Sequence, residues 1–281
     1  MQANRGQARM LKTGEAGSIR DSYALRLWSA KQVRSRAAYR VWYVKHVLRG
    51  EPELRLVPAL CHPNRLMLDV GANRGMYAAA ALRFSGGVMA FEPQPHLAAL
   101  MRKCLPATIK IAECAVSDSE GTAELLVPRD PRRHPEARIA DRDNPAGGDA
   151  KRWVKTSIST VSLDKAVTGP VGLIKIDVEG HEMAVLQGGA GIFARWRPNV
   201  IIELEDRHRS GAVDRAQAWF AAIGYEAFTL EGGRLVRVRQ DVARADAASS
   251  GNVYNFIFLP IERSETPRPS LRAALSSVLA L

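Results

Sequence analysis

The sequence predicts an α/β fold in which a doubly wound, largely parallel sheet is covered by helices on both faces. Three observations carry that expectation. From Pro63 onward, short apolar runs alternate with helical patterns, as they do when strands are buried on both sides. Two of these runs, around Leu66–Val70 and Leu173–Ile176, share one grammar: an apolar strand with acids at its carboxyl end, then glycine, then a helix. The chain is also long enough, at 281 residues and 46% hydrophobic, to bury a substantial core.

The elements follow in chain order. Residues 1–20 are polar with no apolar centre, so neither a signal peptide nor regular structure is expected, only a basic, disordered arm. Residues 21–60 form an N-terminal helical segment. Val33, Ala37, Val41, Val44 and Leu48 recur at helical spacing and predict the buried stripe of a helix over Asp21–Arg49, which Gly50 and Pro52 stop. The main domain spans 61–261. Its strands are expected at Leu66–Val70, Val88–Glu92, Ile109–Ala115, Gly172–Asp177, Asn199–Glu205, Glu226–Leu230 and Tyr254–Leu259, with helices notably at Pro95–Cys104, His181–Gly188 and Val213–Ile223. Thr122–Val127 is expected to pair with Lys155–Thr160 as an extra hairpin. The polar insertion at 128–152, rich in Arg, Asp, Pro and Gly, is long enough to be either a substrate-linked lid beside the third strand or a tolerated insertion. A tail at 262–281 carries a small apolar helix, Leu271–Leu279.

Charge and cysteine content narrow the function. Residues 1–60 hold 12 Lys/Arg against 4 Asp/Glu, which accounts for most of the net charge of +11. The basic character belongs to the N-terminal segment, which is suited to an acidic substrate, to peripheral contact with an anionic membrane surface or to nucleic acid, or else is a solvated arm and a helix with a charged outer face; the only slightly basic core disfavours nucleic acid. Three cysteines without a CxxC pair fit neither a disulfide framework nor a zinc knuckle, so the reducing cytoplasm is the expected location. No run reaches the roughly 20 apolar residues of a membrane span.

The first strand–turn–helix unit reads Asp69-Val-Gly71-Ala-Asn73-Arg-Gly75-Met-Tyr77. Its glycines let the backbone turn tightly and let a ligand approach a helix N-terminus. The spacing is not the Gly-x-Gly-x-x-Gly of dinucleotide sites, which disfavours a nicotinamide dehydrogenase. Glu92, ending the next strand, is placed to meet the two hydroxyls of a ribose. Asp69, Gly71, Asn73, Gly75, Tyr77 and Glu92 together point to S-adenosyl-L-methionine, which carries adenosine without a pyrophosphate. Ala115 and Val116 are expected beside adenine, Asp118 in a turn. Asn73 has the alternative task of capping the next helix.

The second unit, Lys175-Ile-Asp177-Val-Glu179-Gly-His181-Glu182, brings Asp177, Glu179 and His181 to the same crevice, because ligands bind outside the carboxyl ends of strands where strand order reverses. Asp177 is expected at both cofactor and acceptor, Glu179 beside it, and His181 as the general base on a hydroxyl. Glu203 and Glu205 can join them. A divalent ion on Asp177, Glu179 and Glu203 is the alternative, but no strong metal signature is present and no metal is expected.

Asp69-Val-Gly-Ala-Asn-Arg-Gly75, Phe91-Glu-Pro93, Ala115-Val-Ser-Asp118 with Gly121, Ser162-Leu-Asp164, Lys175–Glu182 with Val185-Leu-Gln-Gly188, Arg197–Glu203 and Asn255-Phe-Ile-Phe258 occur in order over about two-thirds of the chain. This ordered set resembles the FkbM family of S-adenosylmethionine-dependent methyltransferases. The resemblance implies a class I methyltransferase (Rossmann-like) sheet of seven strands with the last antiparallel. It also implies O-methyl transfer, mostly to sugar or polyketide hydroxyls, and so a small-molecule or glycan acceptor. Competing expectations are a nucleic-acid methyltransferase using residues 20–60 as an electrostatic arm, and a catalytically silent cofactor-binding partner. The sequence leaves the oligomeric state open.

Overall fold

The computed structural model describes residues 35–140, 152–206, 211–238, 255–262 and 267–281. The expected arm at 1–20, the first part of the helix expected from Asp21, and residues 141–151 of the insertion lie outside the described residues. The strands are β1 (Leu66–Val70), β2 (Gly87–Phe91), β3 (Ile109–Ala112), β4 (Ala115–Val116), β5 (Gly121–Pro128), β6 (Arg138–Ile139), β7 (Trp153–Val161), β8 (Val171–Ile176), β9 (Asn199–Glu203), β10 (Tyr225–Glu231), β11 (Arg234–Arg237) and β12 (Asn255–Pro260). The helices are α1 (Arg36–Arg49), α2 (Val57–Leu60), α3 (Met76–Ala81), α4 (Pro95–Cys104), α5 (Leu163–Ala166), α6 (Glu182–Gly188), α7 (Ala190–Trp196), α8 (Ala212–Ala222) and α9 (Leu271–Ser276).

The main sheet has the order β11-β10-β12-β9-β8-β1-β2-β3. Strands β3, β2, β1, β8 and β9 run parallel, and β12 enters antiparallel between β9 and β10. Each of the seven expected strands has its counterpart there. An eighth, β11, is added by a hairpin over Gly232 and Gly233, both at positive φ; its short, exposed sequence lacks the apolar run that announces a strand. Chain order reverses direction between β1 and β8, so the carboxyl ends of these two neighbours open the crevice in which such sheets bind ligands. Every residue of β8 is buried, as expected for a strand covered on both faces.

The strand expected over Ile109–Ala115 divides in two. β3 stays in the main sheet, whereas β4 leaves it to pair with β7. There it joins a second sheet, β4-β7-β5-β6, in which the expected hairpin is present with Thr122 opposite Ser159 and Val127 opposite Val154. Part of the insertion is ordered against it: Pro131–Glu136 makes a 3-10 turn and β6 pairs with β5.

Several residues of the family-like blocks hold the scaffold together. Asp164 accepts from the backbone N–H groups of Gly191 and Ile192, both at 2.8 Å, and so caps α7. Arg197 donates to the carbonyls of Ile223 and Gly224, tying the start of β9 to the turn before β10. Asn199, fully buried, donates to the Leu60 carbonyl at 2.7 Å.

Helix α1 departs from its expected register. Tyr39, Tyr43 and Val47 are the residues buried against the core, while Ala37, Val41 and Leu48 are exposed and Val44 half-exposed. Two tyrosines carry more apolar surface than the valine and alanine stripe, and their hydroxyls reach partners inside. Tyr39 donates to the carbonyls of Arg74 (2.8 Å) and Gly75 (3.1 Å), and Tyr43 to that of Ala274 (3.0 Å). The tail closes the other side of this contact. Its helix ends at Ser276 and continues as a 3-10 turn over Ser277–Ala280.

Candidate active site

A cleft of about 580 Å³ opens at the carboxyl ends of β1, β2, β8 and β9. Its floor begins at Asp69, whose neighbours in register are Ala90 on one side and Lys175 on the other. Asp69 accepts from the Ala78 N–H at 2.8 Å, and Gly75, in the left-handed region, takes the N-cap of α3 without a side-chain bond. Asp69 therefore satisfies the helix amide that Asn73 was expected to cap. Burial pushes the Asp69 carboxyl up to about 7, against the opposing pull of the Ala78 amide and Lys175.

Asn73 is instead held by its backbone. Its N–H donates to Glu92 at 2.7 Å, while the other Glu92 oxygen accepts from Gln94 N–H at 2.9 Å. Burial raises Glu92 to about 8, offset in part by these two amides. Gly71 has φ +76, and a β-carbon there would overlap the Asp177 carbonyl oxygen. The two glycine loops thus cross in contact over the sheet edge, which only glycine permits.

The second loop carries the acids. Asp177 follows β8 and Glu203 ends β9; because Ile176 pairs with Ile202, the two carboxyls lie side by side and share a hydrogen bond. Burial raises both; Asp177 adds to the rise at Glu203, which reaches about 8, whereas at Asp177 the nearby Lys175 and the hydrogen bond with Glu203 oppose the rise and Glu179 and Glu51 add to it. Lys175, 1% exposed, lies between the carboxylates, 3.8 Å from Asp177, 3.3 Å from the Asn255 side-chain oxygen and 5.1 Å from the centre of the Tyr77 ring. Burial pulls its ammonium down, but Asp177, Glu51, Glu203 and Asp69 outweigh that and hold it above the ordinary lysine value. Glu179 stands at φ +53, an uncommon conformation for a residue with a β-carbon. Glu182 reaches back to accept from the Gly180 N–H at 2.8 Å, which steadies the turn that leads into α6.

All three residues expected to be catalytic, Asp177, Glu179 and His181, line the cleft, as do Asp69, Gly71, Asn73, Tyr77, Glu92, Ala115 and Val116. Gly75, Glu205 and Asp118 are not among the lining residues. The Nε2 of His181 is 2.9 Å from the hydroxyl of Ser117, the residue after β4. Among the described residues no group of three or more His, Cys, Asp or Glu is arranged to hold a metal ion.

Residues that the sequence did not single out complete the walls. Trp42, His46 and Glu51 come from the N-terminal segment, and Glu51 accepts from the Tyr77 hydroxyl at 2.5 Å. Lys175 carried a usable signal, since a charge inside an apolar strand buried on both faces must have partners. Glu51, after the end of a helix, carried none. Pro135, Ala137 and Ile139 of the insertion, with Leu125, line the cleft from the second sheet.

The methyltransferase FkbM domain description matches residues 69–227. The chain belongs to the FkbM methyltransferase family. The FkbM match begins at Asp69, so Trp42, His46 and Glu51 come from outside the matched region. A curated relative, the hexuronic acid methyltransferase AglP of Haloferax volcanii, is 26% identical over 152 residues, covering 53% of this chain and 59% of AglP. The chain thus spans less than two-thirds of that relative's length. Among solved structures it is similar to a methyltransferase FkbM from Methylobacillus flagellatus KT, at 15% identity and a TM-score of 0.45, covering 86% of this chain and 58% of the other. It is also similar to an rRNA methylase from Streptococcus thermophilus, at 12% identity and a TM-score of 0.40, covering 73% and 91%. No helix of the described residues is long and apolar enough to cross a membrane.

Proposed function

We propose that this FkbM protein is an S-adenosyl-L-methionine-dependent O-methyltransferase acting on a hydroxyl of a sugar or related metabolite. The residues fit the cofactor. Glu92 uses each oxygen once on a backbone amide and keeps lone pairs for ribose hydroxyls. Ala115 and Val116 offer an apolar wall to adenine, and the Gly71–Asn73 backbone can approach the methionine portion closely. The acids around Lys175 suit a cationic ligand. When bound, the cofactor supplies a methyl group already activated on a sulfonium.

The protein's task is then to align an acceptor oxygen, keep water out and take one proton. The observation that carries the assignment is the Asp177–Glu203 pair, two adjacent carboxyls sharing a hydrogen bond in the cleft. Once deprotonated, this pair accepts the hydroxyl proton, with Lys175 stabilising the charge of the pair. Glu179 lines the same end and orients the acceptor. His181, engaged with Ser117, supports the adenine end and does not act as the base. A sugar hydroxyl as acceptor is supported by the relative AglP, named for a hexuronic acid.

The test is S-adenosylhomocysteine release from labelled cofactor with free uronic acids, neutral sugars and RNA as separate acceptors. Release that depends on a sugar hydroxyl is expected. Release with RNA alone would replace the sugar by nucleic acid, and calorimetry showing no S-adenosylhomocysteine binding would remove the cofactor assignment.

A further inference from the structure

The face of α1 turned away from the core combines exposed apolar and basic side chains. Ala37, Val41, Val44 and Leu48 form an apolar stripe along it. Val41 is 72% exposed and Leu48 45%, two of the most exposed large apolar side chains described. At 100° per residue this stripe is flanked by Arg36 and Arg40 on one side and Lys45 and Arg49 on the other, all exposed. The helix contains no acidic residue. The guanidinium of Arg36 donates to the Lys103 carbonyl, which brings the basic last turn of α4, with Arg102 and Lys103, to the same end of the stripe.

We propose that this face of α1 is a docking surface for an anionic lipid bilayer, with the helix lying in the plane of the interface. An apolar strip bordered by cations on both sides matches the boundary between acyl chains and anionic headgroups. Nucleic acid is a poorer fit, because phosphates gain nothing from Val41 and Leu48. A second copy is also a poorer fit, since an isologous contact over this stripe would set four cations against the same four with no acid on the helix to pair them. Tyr39, Tyr43 and Val47 anchor the opposite face in the core, so the apolar stripe stays presented. The inference does not depend on the acceptor or on the cofactor.

The experiment uses the full chain and flotation with phosphatidylcholine vesicles, with and without phosphatidylglycerol. Binding is expected only to the anionic vesicles, weakening as salt is raised. Two double variants test the two halves of the surface: Val41→Asp with Leu48→Asp, and Arg40→Glu with Lys45→Glu. Each should weaken vesicle binding by at least about tenfold, while circular dichroism and S-adenosylhomocysteine binding stay as in the parent. Failure of the parent to float with anionic vesicles overturns the proposal. So does unchanged flotation of the aspartate variant, because charge alone would then explain binding. A parent dimer that the aspartate variant splits, with no vesicle binding, would assign the stripe to a second copy.

Discussion

Glu92 is held at both oxygens by backbone amides of the loops it serves, so its carboxylate is a fixed acceptor and not a mobile one. A hydrogen bond to a charged group contributes about 1.5–3 kcal/mol, so Glu92→Gln should weaken cofactor binding by roughly ten- to a hundredfold in titration calorimetry. Unchanged affinity would take Glu92 out of the site. Glu203 and His181 separate the two candidates for the proton. Glu203→Gln should lower turnover by about 10²–10⁴-fold with S-adenosylhomocysteine binding retained. Turnover of the parent should rise with pH through about 8, where burial places Glu203, and the variant should lose that rise. His181→Ala should instead affect cofactor affinity more than turnover; the reverse pattern would return the proton to His181. Asp69, Gly71, Glu92, Asp177 and Glu179 were legible in the sequence because their order along strand and turn is local. The Asp177–Glu203 partnership was legible only as a shared destination, since two strand ends become neighbours through register.

At the scale of elements, α1 shows where periodicity misleads. The stripe from Ala37 to Leu48 has helical spacing, but Tyr39 and Tyr43 offer larger surfaces plus hydroxyls that find carbonyl partners, and they take the core. Tyr39 fastens α1 to the glycine loop through Arg74 and Gly75. Tyr39→Phe removes the hydroxyl donor of that contact while keeping the ring, and it should destabilise the fold by about 1–3 kcal/mol, read from denaturant midpoints, and loosen cofactor binding. A variant as stable as the parent would show that water replaces the hydroxyl. The third strand illustrates a different limit. Ile109–Ala115 reads as one apolar run, yet the chain leaves the main sheet after Ala112 because β7 offers Ala115 and Val116 another partner.

At the scale of the whole molecule, burial of carboxyls makes stability depend on pH. Asp69, Glu92 and Glu203 are raised to about 7, 8 and 8 in the folded state, against roughly 4 in an unfolded chain. The folded protein therefore binds these protons more tightly than the unfolded one. Their stabilising contribution is complete below about pH 4 and is lost as pH rises through 7 and 8. Without cofactor, the melting temperature should fall over that interval, and Glu203→Gln should flatten the fall. A melting temperature that climbs steadily from about pH 5 to about pH 8 would contradict the burial of these groups as acids.

What the sequence determined by itself was whatever short-range chemistry dictates. Apolar runs ending in acids and glycines specified strands, turns and the side of the sheet where ligands meet them, and the ordered motifs specified the family. What only the tertiary structure decided were relations between distant segments. Lys175 is balanced by acids from three other strands and loops, Glu51 reaches Tyr77 from outside the family domain, and the second sheet roofs the cleft with Leu125 and Ile139. The side of α1 that stays in solvent was also settled there. Each of these depends on which surfaces compete for burial and which strand ends become neighbours, and neither is written in the local order of residues.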